Sequence, residues 1–404
     1  MSDTYTYKVR DKQGKVLQGS LDADSTTLVA NKLRQMGYVP LAIDKKSAGM
    51  KTEIKLPGAG KPKIKDVAVF SRQFAVMIDS GLSLLRALYI LEDQTENKVL
   101  AGIIAEVRQD IEKGTSLSQA LGRHPKTFNR LYVSMVRSGE TGGNLDDVLV
   151  QLADVIEKQV ELRQKIKSAM TYPVAVLCLV VLILVAMLIF IVPTFKGLYD
   201  DLGGTLPLPT RVLLTVSSLM VKGLPVVILG TFGFMWAFKR WIQSEKGRGH
   251  WDTFKLKVPV FGKLVRLIAL TRFSKTLASL LRSGVPILES LEITSDTVGN
   301  TVVAKAVKDV QDGVKQGEPI AKRLEHHAVF PPMVVQMLAV GEETGAVDTM
   351  LEKVGEFYER EVEATVDALT SLLEPLLICV LGGTVGAMVV SLYMPMFNII
   401  KLIK

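Results

Sequence analysis

The stretch Ser138-Gly-Glu-Thr-Gly-Gly-Asn144 is followed by an amphipathic run to Ser168, by Tyr172-Pro173 and by an unbroken apolar run from Val174 to Val192. Clustered glycines predict a turn. Apolar residues at helical spacing predict an amphipathic helix whose packed stripe contains Leu145, Val148, Leu149, Leu152, Val155 and Ile156. An apolar run of about 20 residues is long enough to cross the hydrocarbon core of a membrane. We therefore predict a turn, a cytoplasmic helix and a membrane span in direct succession.

The same order of features occurs again near the carboxyl end. Gly341-Glu-Glu-Thr-Gly345 leads through a second amphipathic run to Glu374-Pro375 and to an apolar run that closes at Pro395. Further landmarks keep a constant separation of about 203 residues, which indicates an internal duplication. The matching pairs are Phe70-Ser71 with Phe273-Ser274, Ser80-Gly81 with Ser283-Gly284, Gly114 with Gly317, Gly139-Glu140 with Gly341-Glu342, Pro173 with Pro375, and Pro193 with Pro395.

The composition indicates a membrane protein with large water-exposed parts. The chain of 404 residues has a formal net charge of +8, and its mean hydropathy of +0.28 is high for a soluble protein. The lysines and arginines concentrate beside the apolar runs and in one linker, which favours retention at a membrane over nucleic-acid binding. Cys178 and Cys379 lie in apolar runs and predict no disulfide. The first ten residues lack the apolar core of a cleavable signal peptide.

Charge placement predicts three membrane spans. Arg163, Lys165 and Lys167 precede the first span, so the positive-inside rule leaves its amino side in the cytoplasm. Each copy of the repeat ends in one outward span, and both copies are cytoplasmic only if a further span, Gly223 to Phe238, returns the chain between them. A moderately apolar run, Val212 to Val221, predicts an interfacial helix before that span.

The predicted fold class is mainly α. Breaks at Gly81, near Thr95, at Gly114, at His124-Pro125 and at Ser138 to Asn144 divide the helical pattern from Asp66 to Ser168 into about six helices. We expect an integral membrane protein with three transmembrane helices and two duplicated cytoplasmic six-helix bundle domains, preceded by a small α+β amino-terminal unit. The predicted segments are 1–45 α+β domain, 46–65 basic flexible linker, 66–170 first bundle, 171–193 first span, 194–221 periplasmic loop with the interfacial helix, 222–242 second span, 243–371 second bundle, 372–397 third span and 398–404 periplasmic tail.

The amino-terminal unit has its own pattern. Alternating residues from Tyr5 to Val9, a turn at 11–14 and a second alternating run at 15–21 predict a hairpin. Ser25 can cap a helix, and an extended run from Val39 to Ile43 follows. The apolar positions of that helix are Leu28, Val29, Leu33 and Met36. The linker that follows is lysine-rich, and it is either a solvated tether or a segment attracted to anionic lipid.

The two Gly-Glu turns invite a catalytic interpretation, because carboxylates serve as acids, bases and metal ligands. Yet no His, Cys or Asp lies at ligand spacing around them. Glycines before a long helix fit an interhelical turn, where a glutamate can accept backbone N–H groups. We predict structural residues, with contact to a partner as the alternative. The candidates are Gly139, Glu140, Gly142, Gly341, Glu342, Glu343 and Gly345.

Other motifs give no site for chemistry. Gly58-Ala-Gly-Lys61 lacks the spacing of a phosphate loop and is followed by Pro62. Adjacent histidines, His326-His327, point apart on a helix and have no further ligands at hand. We therefore predict no catalytic residue, no cofactor and no metal.

The third span carries two features of interest. Gly382 and Gly386 have the spacing that lets helices approach closely, and we favour packing against the chain's own spans over a docking groove for another protein. Glu374 is costly in lipid and should face protein or water. It is either a functional contact within the membrane or an interfacial residue.

The three-span layout, the paired turns, Tyr172-Pro173, Glu374-Pro375 and the ending Tyr393-Met-Pro-Met-Phe397 resemble the inner-membrane platform family of type II secretion and type IV pilus systems (GspF/PilC). The likeness covers essentially the whole chain. It implies a non-enzymatic platform that forms a dimer or higher homo-oligomer in the bacterial inner membrane, with its amino terminus in the cytoplasm and its carboxyl terminus in the periplasm.

The resemblance also implies partners. They are a cytoplasmic hexameric assembly ATPase, the transmembrane helices of pilin or pseudopilin subunits lifted into a fibre, other inner-membrane assembly proteins and membrane lipids, but no nucleic acid. On this reading, the coupling element is the pair of long helices that enter the membrane at Pro173 and Pro375.

Two other classes stay open: a membrane transporter and a membrane-embedded enzyme of unknown substrate. A transporter would need more spans and polar residues at mid-membrane. A membrane peptidase would need paired aspartates at the membrane face. The nearest pair, Asp200-Asp201, lies in the predicted outer loop.

Overall fold

The computed structural model describes residues 3–10, 16–23, 26–45, 62–191, 208–259 and 261–402. It separates into two compact units, 1–61 and 62–404. Ser25, the turn at 11–14, most of the basic linker and the loop that contains Asp200-Asp201 lie outside the described residues.

The first unit contains a three-stranded antiparallel sheet and one helix. Its strands lie in the order β2-β1-β3. Their bounds, with those of the helix, are β1 Asp3–Arg10, β2 Val16–Ala23, α1 Thr26–Gln35 and β3 Val39–Lys45. The register pairs Tyr7 with Gly19 on one side and with Ile43 on the other, and it shifts between Lys8 and Val9 on the β3 side.

A small apolar cluster holds this unit together. Val9 of β1 packs with Val29 and Leu33 of α1, all of them buried. Val29 and Leu33 are four residues apart, so they share one face of the helix. The stripe predicted for α1 also contained Leu28 and Met36, and this part of the prediction is wrong: both are exposed. Leu28 lies about 100° around the helix from Val29, and Met36 lies beyond the last residue of α1.

The first repeat has the six helices that its glycine and proline breaks predicted. Their bounds are α2 Ile64–Asp79, α3 Leu84–Gln94, α4 Lys98–Glu112, α5 Leu117–Gly122, α6 Arg130–Gly142 and α7 Leu145–Ala186, with a π-helical turn at Met187–Ile191. The stripe predicted on α7 is the packed face: Val148, Leu149, Leu152 and Ile156 are buried, and Leu145 and Val155 pack beside them.

The second repeat has the same succession of helices, after two helices that connect it to the first. The connecting helices are α8 Leu208–Gln243 and α9 Glu245–Lys257. The repeat itself consists of α10 Phe261–Arg282, α11 Ile287–Thr297, α12 Thr301–Lys315, α13 Ile320–Leu324, α14 Pro332–Thr344 and α15 Val347–Leu402.

One predicted break is wrong. The interfacial helix Val212 to Val221 and the span Gly223 to Phe238 form one continuous helix, α8. A lysine followed by a glycine does not end a helix in an apolar stretch, because each freed backbone group would need a new partner. α15 continues to Leu402 and so includes most of the segment 398–404, whose periplasmic location stays a prediction.

Each repeat has its own hydrophobic core, and each core also contains or contacts side chains from the other repeat. The core of the first repeat includes Leu280, Val285 and Ile293 from the second. Conversely, Leu162 and Ile166 of α7 pack against the core of the second repeat. The two bundles therefore share buried surface along α7, α10, α11 and α15.

Candidate functional site

The glutamate of the first Gly-Glu motif binds the start of a short helix. Glu140 Oε1 accepts the backbone N–H of Leu117 at 2.5 Å, and Oε2 accepts that of Ser118 at 3.0 Å. Both N–H groups belong to the first turn of α5, which has no helical partner for them. A carboxylate there is also favoured by the positive end of the helix dipole.

The second repeat makes the same contact. Glu342 accepts the N–H groups of Ile320 at 2.6 Å and Ala321 at 3.0 Å, at the start of α13. The glutamates were predicted to lie in a turn before the long helix, and this position is wrong. They lie inside α6 and α14, and they cap a helix earlier in the chain. Glu343, beside Glu342, is exposed.

The glycines of the motif serve close packing and chain reversal. A Cβ on Gly139 would lie 3.1 Å from Leu145 Cα, and one on Gly341 would lie 2.9 Å from Val347 Cα. Each glycine thus lets α6 or α14 approach the first turn of the following long helix. The turns themselves occur at Gly143 and Gly345, with φ of 72° and 70°, a conformation that favours glycine. Gly142 belongs to the last turn of α6.

The long helices continue from the bundles into apolar segments. α7 has 42 residues with Pro173 inside it. α15 has 56 residues, and Pro375 lies within it. Among the described residues, α7 with its π-helical turn and α15 are the two helices that are long and apolar enough to cross a membrane. The span predicted within α8 stays a prediction.

The apolar part of α15 presents an open face. Nothing lies within 4 Å of where a Cβ would stand on Gly382 or Gly386. Within the described chain this contradicts the prediction that these glycines pack against the chain's own spans. Glu374, two turns earlier, is exposed, and no hydrogen bond or ion pair joins it to another described residue.

The interface between the bundles is polar at its rim. Arg130 of α6 pairs with Glu292 at 3.0 Å and Asp296 at 2.5 Å on α11. Lys165 of α7 pairs with Glu363 of α15 at 2.9 Å. Sequence reasoning missed these pairs, because they join residues more than 160 positions apart in surfaces that the repeat pattern does not identify.

The described residues contain no group of three or more His, Cys, Asp and Glu side chains that could hold a metal ion. His327 Nε2 lies 2.9 Å from Asp309 Oδ2. Arg323 and then His327 lower the pKa of Asp309 below its ordinary value. This cluster is an ion-pair network at the surface of the second bundle, at the junction of α12 and α13.

Comparison with known proteins places these features in a family. The chain matches the family description "Type II secretion system (T2SS), protein F" over residues 70–193 and again over 273–395. Residues 1–44 match "Type II secretion system protein F, N-terminal domain". The two matches begin at Phe70 and Phe273, so the predicted duplication is confirmed.

Individual relatives match along the whole chain. The type IV pilus assembly protein PilC of Thermus thermophilus is 46% identical over 399 residues, with 98% of each chain covered. The type IV pilus assembly protein TapC of Aeromonas hydrophila is 35% identical over 390 residues, covering 96% of this chain and 94% of that one. The type II secretion system protein F of the same organism is 32% identical over 390 residues, covering 95% and 99%.

Proposed function

The chain belongs to the type II secretion system protein F family, and we propose that it is the inner-membrane platform of a type IV pilus or type II secretion machine. The observation that carries the proposal is the full-length similarity to PilC and to secretion protein F, which includes both repeats and the amino-terminal domain. The platform is a structural component without catalysis of its own.

The proposed topology has three spans, in α7, α8 and α15. α8 supports this proposal through its exposed aromatic and apolar side chains, among them Phe232, Phe234 and Trp236. Such side chains are costly in water and favourable in lipid. In this topology the amino terminus and both bundles lie in the cytoplasm. The carboxyl-terminal segment, 398–404, lies in the periplasm.

The proposed partners meet different parts of the molecule. A hexameric assembly ATPase acts on the cytoplasmic bundles, and the transmembrane helices of pilin or pseudopilin meet the apolar segments of α7 and α15. The unfilled face at Gly382 and Gly386 supports contact with another helix, because small residues allow close approach. Exposed Glu374 stands on the same helix. The platform acts as a homo-oligomer.

The test is fibre assembly in a host whose own platform gene has been deleted. The wild-type chain restores assembly, and Glu374→Ala and Gly386→Leu abolish it at normal protein level and insertion. Gly230→Leu is the matched control, because Gly230 on α8 also has nothing within 4 Å of its Cβ position. Normal assembly with both Glu374→Ala and Gly386→Leu contradicts the role of this face.

Two further results would overturn the platform itself. One is ATP hydrolysis by the purified protein alone. The other is a reporter fusion that places residues 245–370 outside the cytoplasm, since the ATPase could not then reach the second bundle. Co-purification with the ATPase and a pilin, cross-linked from the bundle surfaces and from Glu374, identifies the partners directly.

A further inference from the structure

A cavity of about 730 Å³ lies between the two bundles. Its walls come from α7 of the first repeat and from α10 and α15 of the second. The volume is in the range of small-molecule sites, which measure roughly 300–1,000 Å³. The cavity ends near Lys167 and Met170, just before the apolar part of α7 begins at Tyr172.

The acidic side chains of the cavity are all in ion pairs. Four carboxylates line it: Asp154, Glu352, Glu356 and Glu359. Asp154 pairs with Arg72 at 2.5 Å, and Glu352 pairs with Arg282. Glu356 pairs with Lys353 at 3.2 Å, and Glu359 pairs with Lys275 at 2.5 Å. Because each carboxylate is already paired, none is left to balance the other cations of the cavity.

Three lining cations have no anionic partner in the described part of the chain: Arg163 and Lys167 on α7, and Arg272 on α10. A fourth, Lys158, lies close enough to Glu352 to favour that carboxylate's charged form. The Arg272 Nη1 also lies 2.6 Å from the Cβ position of Gly299, just beyond α11. Its guanidinium therefore lies against the chain at Gly299, while the residue as a whole stays exposed at the mouth of the cavity.

The two arginines lie near each other across the cavity. Loss of hydration lowers the pKa of Arg272, and repulsion from Arg163 lowers it further. Like charges brought together in a partly dehydrated site cost free energy unless an anion joins them. An arrangement of this kind is typical of a site that is completed by a bound anion.

The other residues that line the cavity indicate the chemical character of that anion. Gln159 on α7 offers an amide donor, whereas Leu162 and Ile166 offer an apolar wall. The hydroxyls of Thr271 and Ser279 on α10 already donate to the carbonyls of Leu267 and Lys275. Guanidinium groups bind phosphate oxygens in a two-point geometry, and lysine adds a compact positive charge. The partly open site thus fits a ligand that has both a phosphate and an apolar or planar part.

We propose that this cavity binds a phosphate-bearing small molecule through Arg163, Lys167 and Arg272. The phosphate has two possible sources, which share this chemistry. One is the headgroup of an anionic phospholipid, which reaches the cavity from the membrane side beside Met170. The other is a soluble nucleotide from the cytoplasm. Binding joins α7 to α10 and so strengthens the contact between the two bundles.

The experiment uses the full-length protein and two probes. The first is ADP, titrated calorimetrically into the protein in nanodiscs of neutral phosphatidylcholine. The second is short-chain phosphatidylglycerol, compared with short-chain phosphatidylcholine by native mass spectrometry of the detergent-solubilised protein. The variants are Arg163→Gln and Arg272→Gln, with Arg86→Gln on the exposed surface of α3 as the matched control.

We expect at least one probe to bind the wild-type protein and each cavity variant to bind it about tenfold more weakly, as expected for losing one charge-assisted contact. Arg86→Gln binds like the wild type, and Arg163→Lys recovers part of the affinity. Loss confined to ADP identifies a nucleotide, and loss confined to phosphatidylglycerol identifies a lipid.

The proposal is overturned if neither probe binds the wild-type protein, or if the cavity variants bind like Arg86→Gln. Binding of an acidic peptide in place of both probes also overturns it and assigns the cavity to a partner protein. Thermal unfolding of each variant checks that weaker binding is not caused by loss of the fold. None of these measurements depends on fibre assembly.

Discussion

Residues 64–186 and 261–402 share the contacts that satisfy backbone groups. In both repeats a glutamate caps a short helix, at Glu140 and Glu342. In both, an asparagine side chain accepts two N–H groups at the start of the third helix, at Asn97 and Asn300. Even one ion pair is kept at equivalent positions, Arg72 with Glu157 and Lys275 with Glu359.

The repeats differ in contacts between side chains. Ser71 Oγ lies 3.2 Å from the hydroxyl of buried Tyr132, and burial raises the pKa of that phenol above its ordinary range. In the second repeat the equivalent positions hold Ser274 and Val334, and Ser274 Oγ is buried without a partner among the described residues. Asn97 Nδ2 donates to Asp66 at 2.7 Å, whereas Asn300 Nδ2 is also without a partner in the described chain.

This difference separates two kinds of constraint. A helix start always leaves N–H groups without partners, whatever the side chains around it, so its cap is needed in each copy. A side-chain hydrogen bond such as that between Ser71 and Tyr132 is different, because a partner is needed only where the sequence places a polar side chain in the core. The second repeat has lost one member of two such pairs and retains the other, so its core holds polar atoms that lower its stability.

The largest expected effect comes from removing the caps. Glu140→Ala and Glu342→Ala each leave two partly buried N–H groups unsatisfied, and each should cost about 3 kcal/mol of local stability. Hydrogen–deuterium exchange of the full-length protein measures this for α5 and α13 separately. We expect exchange to rise at least tenfold in the helix that loses its cap and to stay unchanged in the other.

Glutamine is the control for this pair. Glu140→Gln and Glu342→Gln keep one oxygen acceptor and should give an intermediate increase. If alanine in one repeat raises exchange in both α5 and α13 equally, the caps are not independent and the comparison of the two repeats fails.

Alanine at the close-packing glycines should distinguish the repeats. Alanine gains about 1 kcal/mol of helix propensity, while forcing a methyl group into a packed contact costs about 1–3 kcal/mol. Gly341→Ala meets backbone at 2.9 Å and should lower stability by about 2 kcal/mol, whereas Gly139→Ala at 3.1 Å should be nearly neutral. Thermal unfolding of the two variants checks this, and an equal loss in both would contradict it.

Removing the equivalent serine hydroxyls should change stability in opposite directions. Ser71→Ala leaves the Tyr132 hydroxyl buried without its partner and should cost about 1–2 kcal/mol. Ser274→Ala removes a buried hydroxyl that lacks a partner and should be neutral or stabilising by up to about 1 kcal/mol. Urea unfolding in mild detergent gives both values. A loss at Ser274 as large as that at Ser71 would show that the second hydroxyl is satisfied.

The smallest effect concerns pH. Arg323, followed by His327, lowers the pKa of Asp309 in the folded state, so its stabilising contribution is present above its unfolded pKa and is lost as pH falls below that value. Both partners are half-exposed, so Asp309→Asn should lower the melting temperature by only about 1 °C at pH 6. At pH 3 the difference between variant and wild type should be smaller.

The equivalent pair of the first repeat is the control for this pH effect. His124 and Glu106 lie 3.5 Å apart, and Glu106 is largely exposed. Glu106→Gln should therefore change the melting temperature less than Asp309→Asn at pH 6. A constant effect of Asp309→Asn from pH 6 to pH 3 would contradict the ion-pair explanation.

The sequence predicted the features that depend on local spacing. Glycine and proline breaks identified the six helices of the first repeat, and the spacing from Val148 to Ile156 identified the buried face of α7. It did not predict that Glu140 reaches back to Leu117, because helix capping across 23 residues depends on how α5 and α6 pack. Lys222-Gly223 was read as a break, although the surrounding apolar residues keep α8 continuous.

The candidate site was only partly predictable for the same reason. The candidate residues lie in the two Gly-Glu motifs and in the apolar segments of α7 and α15, so the sequence could select them. Their roles depend on how the helices pack: a Cβ on Gly341 would meet Val347 of the next helix, while one on Gly386 would meet nothing within 4 Å. The cavity between the repeats combines Arg163 with Arg272, and no periodicity relates those two positions.

The unbroken backbone of the long helices has a mechanical consequence. At 1.5 Å per residue, 42 residues of α7 form a rod about 63 Å long, and 56 residues of α15 form one about 84 Å long. A tilt of about 5° at the packed end displaces the far end by about 5 Å in α7 and about 7 Å in α15, close to the 5.4 Å pitch of a helix. The same tilt moves α7 by about 3 Å at the end of its packed part, near Ser168, so the bundle must shift by about that amount there. A tilt at the bundle end therefore gives a larger displacement at the opposite end of the helix, and α7 bends most easily at Pro173, where a backbone hydrogen bond is missing.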